Sequence, residues 1–568
     1  EMHKVKTDGY TLAAMSIITV DNPMVAGTGH RICNECSKAC IFQKQEPVEI
    51  PQVETRVVKD VLALPWGFEI YSLLTRWNPL NFKQPVPLAE SGYKVLIVGL
   101  GPAGFTLGHY LMNAGHTVVA VDGLKIEPLD PEISGVDAGG DHVAFKPIED
   151  INELYENLDE RAMAGFGGVA EYGITVRWDK NFLKVLRLLV ERRSLFTMFG
   201  GVRFGGSITE ESAFAMGFDH IAMCVGAGKP TYLSVPNGLA RGVRAASDFL
   251  MALQLTGAAK KETIANLQLR LPAVVIGGGL TAIDSTTEAM AYYIRQVEKF
   301  HERYDILVKE KGKETVRSLY TKEEAEIADE FLVHAKAVVE ERKTALKEGR
   351  RPHFVELIKQ WGGVTIAYRR RLIDAPSYTL NHDEVKYAFE EGINFIELVS
   401  PLAVEVDEYD HVKAIRLERQ EIGEDGRPKP TGEEVTIPAR AILVAAGTQP
   451  NTVLGREYPD YYTLDGRYFQ AVDDRGAPVT PERIAKPGDV WVLASVRDDG
   501  RALSFFGDVH PSFAGNVVKA MASAKQGYPV VSRMLGRIEP ASSTANSDFM
   551  AGLNHDLRAT VHAVNRLT

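Results

Sequence analysis

Two stretches of this 568-residue chain pass from a short, largely apolar run into a glycine cluster and then into apolar positions at helical spacing. In the first, Lys94 to Val98 leads to Gly99, Gly101 and Gly104, and Phe105 to Asn113 continues with a helical period. In the second, Pro272 to Ile276 leads to Gly277, Gly278, Gly279, Thr281, Ala282 and Asp284. A continuous apolar run of strand length, closed by glycine, marks a strand covered on both faces, as parallel sheets require. The pattern predicts strand, tight turn and helix, twice.

That turn is a physical device. Glycines at this spacing let backbone N–H groups approach a pyrophosphate at a helix N-terminus, where the helix dipole favours negative charge. Ala103 sits in the first loop, and Pro102 pre-sets the helix entry. Thr117 to Val121 then reads as the next strand and ends at Asp122, placed to accept a ribose hydroxyl. Later, His220 to Val225 reads as a buried strand, and Ser504 to Gly507 leads through Asp508 to a helix starting near Gly515 and Asn516. This is how an FAD domain closes.

In the second unit the glycine at the third fingerprint position is replaced by Ala282, which the motif tolerates. Its following strand, Val364 to Tyr368, ends in Arg369, Arg370 and Arg371 rather than a carboxylate. A guanidinium there pairs bidentately with a 2′-phosphate, so NADP(H) is expected over NAD(H). The fold class is therefore α/β, with two nested Rossmann-like nucleotide-binding domains preceded by a helical segment. The expected domains are 1–90, helical; 91–245, FAD-binding; 246–455, NAD(P)-binding; 456–540, the second FAD segment; and 541–568, a tail. Between the strands of the second unit lies far more chain than a crossover needs. Residues 291–362, rich in Glu, Lys and Arg with Ile327, Phe331, Leu332 and Val338 at helical spacing, are read as an inserted helical hairpin, either a solvated excursion or a docking arm.

Net charge is −11, from 64 Lys plus Arg against 75 Asp plus Glu, with no basic block suited to a phosphate backbone, which argues against a nucleic-acid partner. Apolar runs are of strand length, short of the roughly 20 residues a membrane helix needs, so no membrane partner is expected. Four cysteines cannot make a secreted disulfide framework, no signal-peptide layout opens the chain, and a cytoplasmic location is expected.

Cys33, Cys36 and Cys40 form Cys-x-x-Cys-x-x-x-Cys, three thiolates close enough to occupy three corners of one cluster or metal. Iron–sulfur electron transfer is the reading that uses them best; structural zinc with His30 is the alternative. Cys224 falls in the buried strand of the first nucleotide domain and is expected to be a core residue. With one cysteine in the two nucleotide domains, a flavin-stacked disulfide is excluded.

The cysteine segment, Gly-Leu-Gly-Pro-Ala-Gly at 99–104 and Gly-Gly-Gly-Leu-Thr-Ala-Ile-Asp at 277–284 together resemble the glutamate synthase small subunit family. That family includes the large subunit of NADH-dependent ferredoxin:NADP oxidoreductase and the N-terminal half of dihydropyrimidine dehydrogenase. The resemblance extends to Gly168 and Tyr172 in the segment beside the flavin, to Tyr368-Arg369-Arg370, to Gly447 in the domain-closing turn, and to Gly507-Asp508 at the ribityl chain. Relatives carry about twice as many cysteines and two 4Fe-4S clusters; here the thiols support one. Pro47 to Glu54 resembles the family's Pro-x-x-Ile-x-x-x-Glu/Gln, which makes Glu54 the implied fourth ligand, with Glu46 or a partner residue in reserve.

What the resemblance implies is an electron-transfer subunit: NADP(H), or NAD(H), FAD and one 4Fe-4S cluster, serving a catalytic partner. The host is a 2-oxoacid:acceptor oxidoreductase or glutamate synthase, the reduced cysteine set and the insertion favouring the former. A stand-alone NADPH:ferredoxin or small-molecule flavin oxidoreductase with structural zinc is the other reading. No acid-base catalytic residue is expected, because hydride transfer needs position rather than proton shuttling.

Overall fold

A computed structural model describes residues 2–28, 36, 40–42, 48–156, 166, 181–459, 461–542, 544–559 and 563–565. They divide into two compact units. The first draws on Glu1–Glu156, Ala162–Lys229 and Gln449–Thr568; the second is essentially Pro230–Thr448.

The first unit opens with helices α1 (Met2–Thr7), α2 (Thr11–Asp21), α3 (Ile50–Leu62) and α4 (Gly67–Leu74). Then come β1 (Lys94–Val98), α5 (Pro102–Asn113), β2 (Thr117–Asp122), α6 (Asn181–Glu191), β3 (Phe196–Gly200) and β4 (His220–Met223). Strand β1 lies between β2 and β4 and pairs with both in parallel. Its side chains alternate by the strand period of two. Val95 and Ile97 join a core with Phe105 and Leu111 of α5 and Leu186 and Leu189 of α6, while Leu96 and Val98 join one with Val119, Phe199 and Ile221. Both faces of β1 are thus covered, which is why its run is unbroken rather than alternating.

The opening helices are not a separate body. Ala14, Met15 and Ile18 of α2 and Val57, Val58 and Val61 of α3 belong to the same core as Val95 and Ile97.

The second unit contains β5 (Val243–Ala245), α7 (Ala246–Leu255), β6 (Ala273–Ile276), α8 (Leu280–Lys311), α9 (Lys322–Glu348), β7 (Val364–Ala367), α10 (Pro376–Glu390) and β8 (Asn394–Ile396). Strands β9 (Val399–Val406), β10 (Val412–Ile422) and β11 (Pro428–Pro438) follow, then β12 (Ala441–Val444). A parallel sheet runs β5-β12-β6-β7-β8, and β9-β10-β11 is an antiparallel meander. The meander packs Val404, Val412, Ile415 and Leu417 onto Val274, Ile276, Ile442 and Val444.

The stretch read as an inserted helical hairpin holds two long antiparallel helices. Helix α8 starts at the second glycine loop and runs unbroken to Lys311, so the insertion is first a lengthening of the nucleotide-binding helix. Helix α9, capped by a Thr321–Glu324 capping box, returns along it. Between them Tyr293, Phe300, Phe331, His334 and Trp361 make an aromatic seam, with His334 stacked on Trp361 at 4.1 Å and the Tyr293 hydroxyl 2.6 Å from His334 Nδ1. Arg241 with Glu323, and the Tyr409 hydroxyl donating to Glu326, tie the hairpin's turn to the meander's side of the unit.

Back in the first unit, β13 (Ala471–Val472), β14 (Pro478–Val479), β15 (Leu493–Val496) and β16 (Ala502–Phe505) extend the sheet to the order β14-β13-β15-β16-β4-β1-β2-β3. Strand β16 pairs with β4 in parallel, and the rest of the extension is antiparallel. Helix α11 (Val517–Leu535) packs on α5, with Tyr528 and Tyr110 stacked at 5.0 Å. The tail is structural: α12 (Asn546–Leu557) puts Phe549, Met550 and Leu553 into the core beneath Phe218 and Leu503.

Candidate active site: two dinucleotide cradles

In the first unit the loop after β1 is built by close backbone approach. A Cβ on Gly104 would stand 1.8 Å from the Gly99 carbonyl oxygen, and one on Gly99 would stand 2.4 Å from the Cys224 carbonyl oxygen. Gly99 also has φ +101°, a conformation that L side chains rarely adopt. These contacts fold the loop under the start of α5, whose first residues, Pro102 and Ala103, follow Gly101 at the N-cap. No side chain caps that helix, so its first N–H groups are left for an anion.

Asp122 ends β2 beside this loop. One carboxylate oxygen accepts the Leu100 N–H at 2.8 Å and the other the Leu124 N–H at 2.9 Å. Burial raises its pKa, and the two N–H groups pull the other way. Asp508 follows Gly507 and accepts the Gly515 N–H at 2.8 Å; burial raises this carboxyl too. Neither carboxylate has an ion-pair partner among the described residues. Each oxygen keeps a free lone pair, the acceptor that a ribose or ribityl hydroxyl needs.

Gly507 brings the second FAD segment to the first. It has φ +70°, its N–H donates to Ser523 at 2.9 Å, and a Cβ on it would lie 3.2 Å from that of Ala103. Asn516 caps α11, its side-chain oxygen accepting the Lys519 N–H at 2.8 Å. Gly168 and Tyr172 lie outside the described residues. Cys224 is a core residue, its thiol pKa pushed up by burial.

In the second unit, Gly277 donates its N–H to Ala367 at 3.1 Å, and a Cβ there would meet the Ala445 carbonyl oxygen at 2.3 Å. At Gly279, the N-cap of α8, a Cβ would meet nothing within 4 Å. Thr281 and Ala282 form the first turn, with Ala282 buried, and Asp284 is buried on the packed side of the helix. Arg369 is exposed and Arg370 half-buried, directly after β7 and Tyr368. Arg371 is committed elsewhere: its guanidinium holds Asp374 through two bonds of 2.7 and 3.1 Å. Arg369 and Arg370 make no ion pair among the described residues. Gly447, at φ +93°, closes the turn after β12 and accepts the Thr231 N–H at 3.2 Å.

Two contacts here escape sequence reasoning. The Tyr368 ring lies against Gly278, where a Cβ would meet it at 2.5 Å. Ser377 donates its N–H to the Gly278 carbonyl at 3.0 Å, and its hydroxyl, in a residue 1% exposed, has no partner among the described residues. No local pattern announces either, because both reach Gly278 from other loops.

In the opening helices, Cys33 lies outside the described residues. The Cys40 sulfur accepts the Phe42 N–H at 3.4 Å. Glu54 on α3 is half-buried near the Tyr71 hydroxyl, its pKa pushed up to about 7 by desolvation, and its carboxyl makes no ion pair among the described residues. Among those residues no group of three His, Cys, Asp or Glu is placed to hold a metal ion, and no helix is long and apolar enough to cross a membrane.

A strand–glycine loop–helix cradle in each unit, the first flanked by two cation-free carboxylates and the second by two unpaired arginines, defines an oxidoreductase built for two dinucleotides. Residues 93–496 match the pyridine nucleotide-disulphide oxidoreductase family, and the chain belongs to it: it is an FAD-dependent oxidoreductase using a pyridine nucleotide. Cys224 is the only cysteine within the match, so a redox disulphide is not part of these domains. The chain is similar to an uncharacterized Rickettsia prowazekii protein, RP006, at 39% identity over 96% of this chain and 68% of that one. It is also similar to the Escherichia coli glutamate synthase [NADPH] small chain, at 24% identity over 69% of this chain and 60% of that one. Against the solved structure of FprA from Mycobacterium tuberculosis, identity is 16% and the TM-score 0.45, over 82% of this chain and 89% of that one. The chain thus spans about two thirds or less of the length of these curated relatives.

Proposed function

We propose that this chain moves electrons between NADP(H) and a partner subunit, through FAD and one 4Fe-4S cluster held by Cys33, Cys36, Cys40 and Glu54. Three cysteines in eight residues, followed by Glu54, a half-buried carboxyl that makes no ion pair among the described residues, are the observation that carries the reading. A carboxylate buried in this way is costly unless it meets a cation or a metal. FAD held by the first glycine loop, Asp122 and Asp508 would supply an acceptor for hydride from reduced nicotinamide and a donor of single electrons, as a cluster requires. The chain's part is positional: the α5 N-terminus and Asp122 and Asp508 hold one dinucleotide, Arg369 and Arg370 select the 2′-phosphate of the other, and Gly279 leaves room for its pyrophosphate.

The substrate is assigned to a catalytic partner of the 2-oxoacid:acceptor oxidoreductase or glutamate synthase type. The similarity to the glutamate synthase [NADPH] small chain supports NADPH as donor and a multisubunit setting. Iron and acid-labile sulfide analysis of anaerobically purified protein tests the cluster. About four iron and four sulfide per flavin are expected, falling on Glu54→Ala; zinc without sulfide sinks the reading and leaves a stand-alone flavin oxidoreductase. Native co-purification then identifies the partner.

A further inference from the structure

The insertion lengthens α8 by several turns, and against that added length the loop 257–266 closes a cavity of about 200 Å3. Its wall holds two cations, Lys299 and Arg303, one helical turn apart on α8, and no Asp or Glu. The closing loop carries Glu262, whose charge reaches Lys299, but no carboxylate lines the cavity itself, in a chain with 75 acidic and 64 basic residues.

Both cations keep donors in hand. Lys299 is 8% exposed, and its ammonium donates to the Ala258 carbonyl at 2.6 Å and, more weakly, the Ala265 carbonyl at 3.5 Å, leaving one of three N–H groups without an acceptor among the described residues. Arg303 donates from Nη2 to the Lys261 and Thr263 carbonyls at 3.0 and 2.6 Å, and its Nε and Nη1 have no partner among the described residues. Desolvation and the neighbouring Arg303 and Arg295 charges lower the Lys299 pKa to about 8, with Glu262 opposing them. The nearby Lys261 is paired with Glu302. Positive charge is in excess at this cavity, and an anion is what would balance it.

The rest of the wall says what the anion carries. Phe300 and Leu307 and the rings of Tyr292, Tyr304 and Tyr320 line the cavity, with Ile264 at the exposed rim; its two amides, Asn266 and Gln296, are bonded to the backbone of Gln268 and Leu269. The Tyr292 and Tyr304 hydroxyls already accept from the Leu267 N–H and from Arg317 Nε. The volume is below that of drug-sized ligand pockets and holds roughly ten non-hydrogen atoms, which excludes either dinucleotide.

From these observations we propose that the cavity is a binding site for a small monocarboxylate with an aromatic body, its carboxylate on Lys299 and Arg303 and its ring against Phe300 and Tyr304. The site depends on the insertion, and it is separate from both glycine loops.

Benzoate is the probe, titrated into the full-length flavoprotein by calorimetry and by saturation-transfer NMR. Saturable binding is expected, with benzyl alcohol, the neutral near-isostere, at least tenfold weaker. Lys299→Met and Arg303→Gln should each weaken benzoate at least tenfold while the flavin absorption spectrum is unchanged. Arg303→Gln carries the test if Lys299→Met fails to fold, since Arg303 lies nearer the surface. No benzoate binding up to its solubility, equal binding of benzyl alcohol, or affinity unchanged by both substitutions overturns the proposal.

Discussion

Gly507 approaches Ala103 so closely that a Cβ on Gly507 would stand 3.2 Å from that of Ala103, which joins the glycine loop after β1 to a segment some 400 residues later. The FAD cradle is therefore made by two distant pieces of chain, and it is sensitive to any atom placed between them. Gly507→Val adds bulk there at φ +70°, where a β-branched residue is strained. The variant is expected to lose about 2 kcal/mol or more of stability and to purify with most of its flavin missing. Absorbance at 450 nm per mole of protein checks this; full flavin content counts against the Gly507–Ala103 junction.

Gly278 is the corresponding pressure point in the second unit, under the Tyr368 ring. Gly278→Ala should leave flavin content intact and raise KM for the pyridine nucleotide by about tenfold, because a displaced ring costs on the order of 1–3 kcal/mol. Adding Tyr368→Ala should restore part of the lost affinity. Stopped-flow reduction of the flavin at varied nucleotide concentration reads both.

Arg369 and Arg370 bear on cofactor choice. Charge-assisted hydrogen bonds to a phosphate contribute about 1.5–3 kcal/mol, so Arg370→Ser should raise KM for NADPH by roughly ten- to a hundredfold and leave KM for NADH nearly unchanged. Parallel losses with both nucleotides would move the specificity away from this strand end. Arg371→Ser, which breaks a pair with Asp374, should change neither ratio.

Acid should weaken the first unit through buried imidazoles. Burial lowers the His116 and His510 pKa values to about 4 and that of His220 to about 3, each from 6.5. His116 bridges the Ser91 and Ser532 hydroxyls at 2.8 and 2.9 Å. A depressed folded pKa means that the unfolded chain takes up protons first, so the contribution to stability is intact above pH 6.5 and is lost as pH falls toward 4. For His116 the loss is at most about 3 kcal/mol. Thermal unfolding followed from pH 7.5 to 4 should show a smaller drop in Tm for His116→Gln than for the unaltered chain; an identical slope would remove His116 from the account.

The two nucleotide loops were legible because each is a local device. A buried strand, glycines at fixed spacing and a helix entry sit within about a dozen residues, and the carboxylate of Asp122 and the arginines after β7 mark the next strand ends. Helical periodicity announced the hairpin for the same reason. That the insertion opens as a continuation of α8 was not legible, because the helical period runs on without a break. That Asn516 caps α11 was not legible, because a cap and a cofactor contact draw on the same residue type.

By itself the sequence determined the α/β class, the two cradles, the arginines at the second strand end and the three clustered cysteines, all properties of short spacing and of burial pattern. Only the tertiary structure decided that Gly507 meets Ala103, that Tyr368 and Ser377 close on Gly278, that the final helix belongs to the core, and that Lys299 and Arg303 share an acid-free cavity with loop 257–266. Those relationships depend on which distant backbone segments come within a few ångströms, and a one-dimensional pattern does not encode that distance.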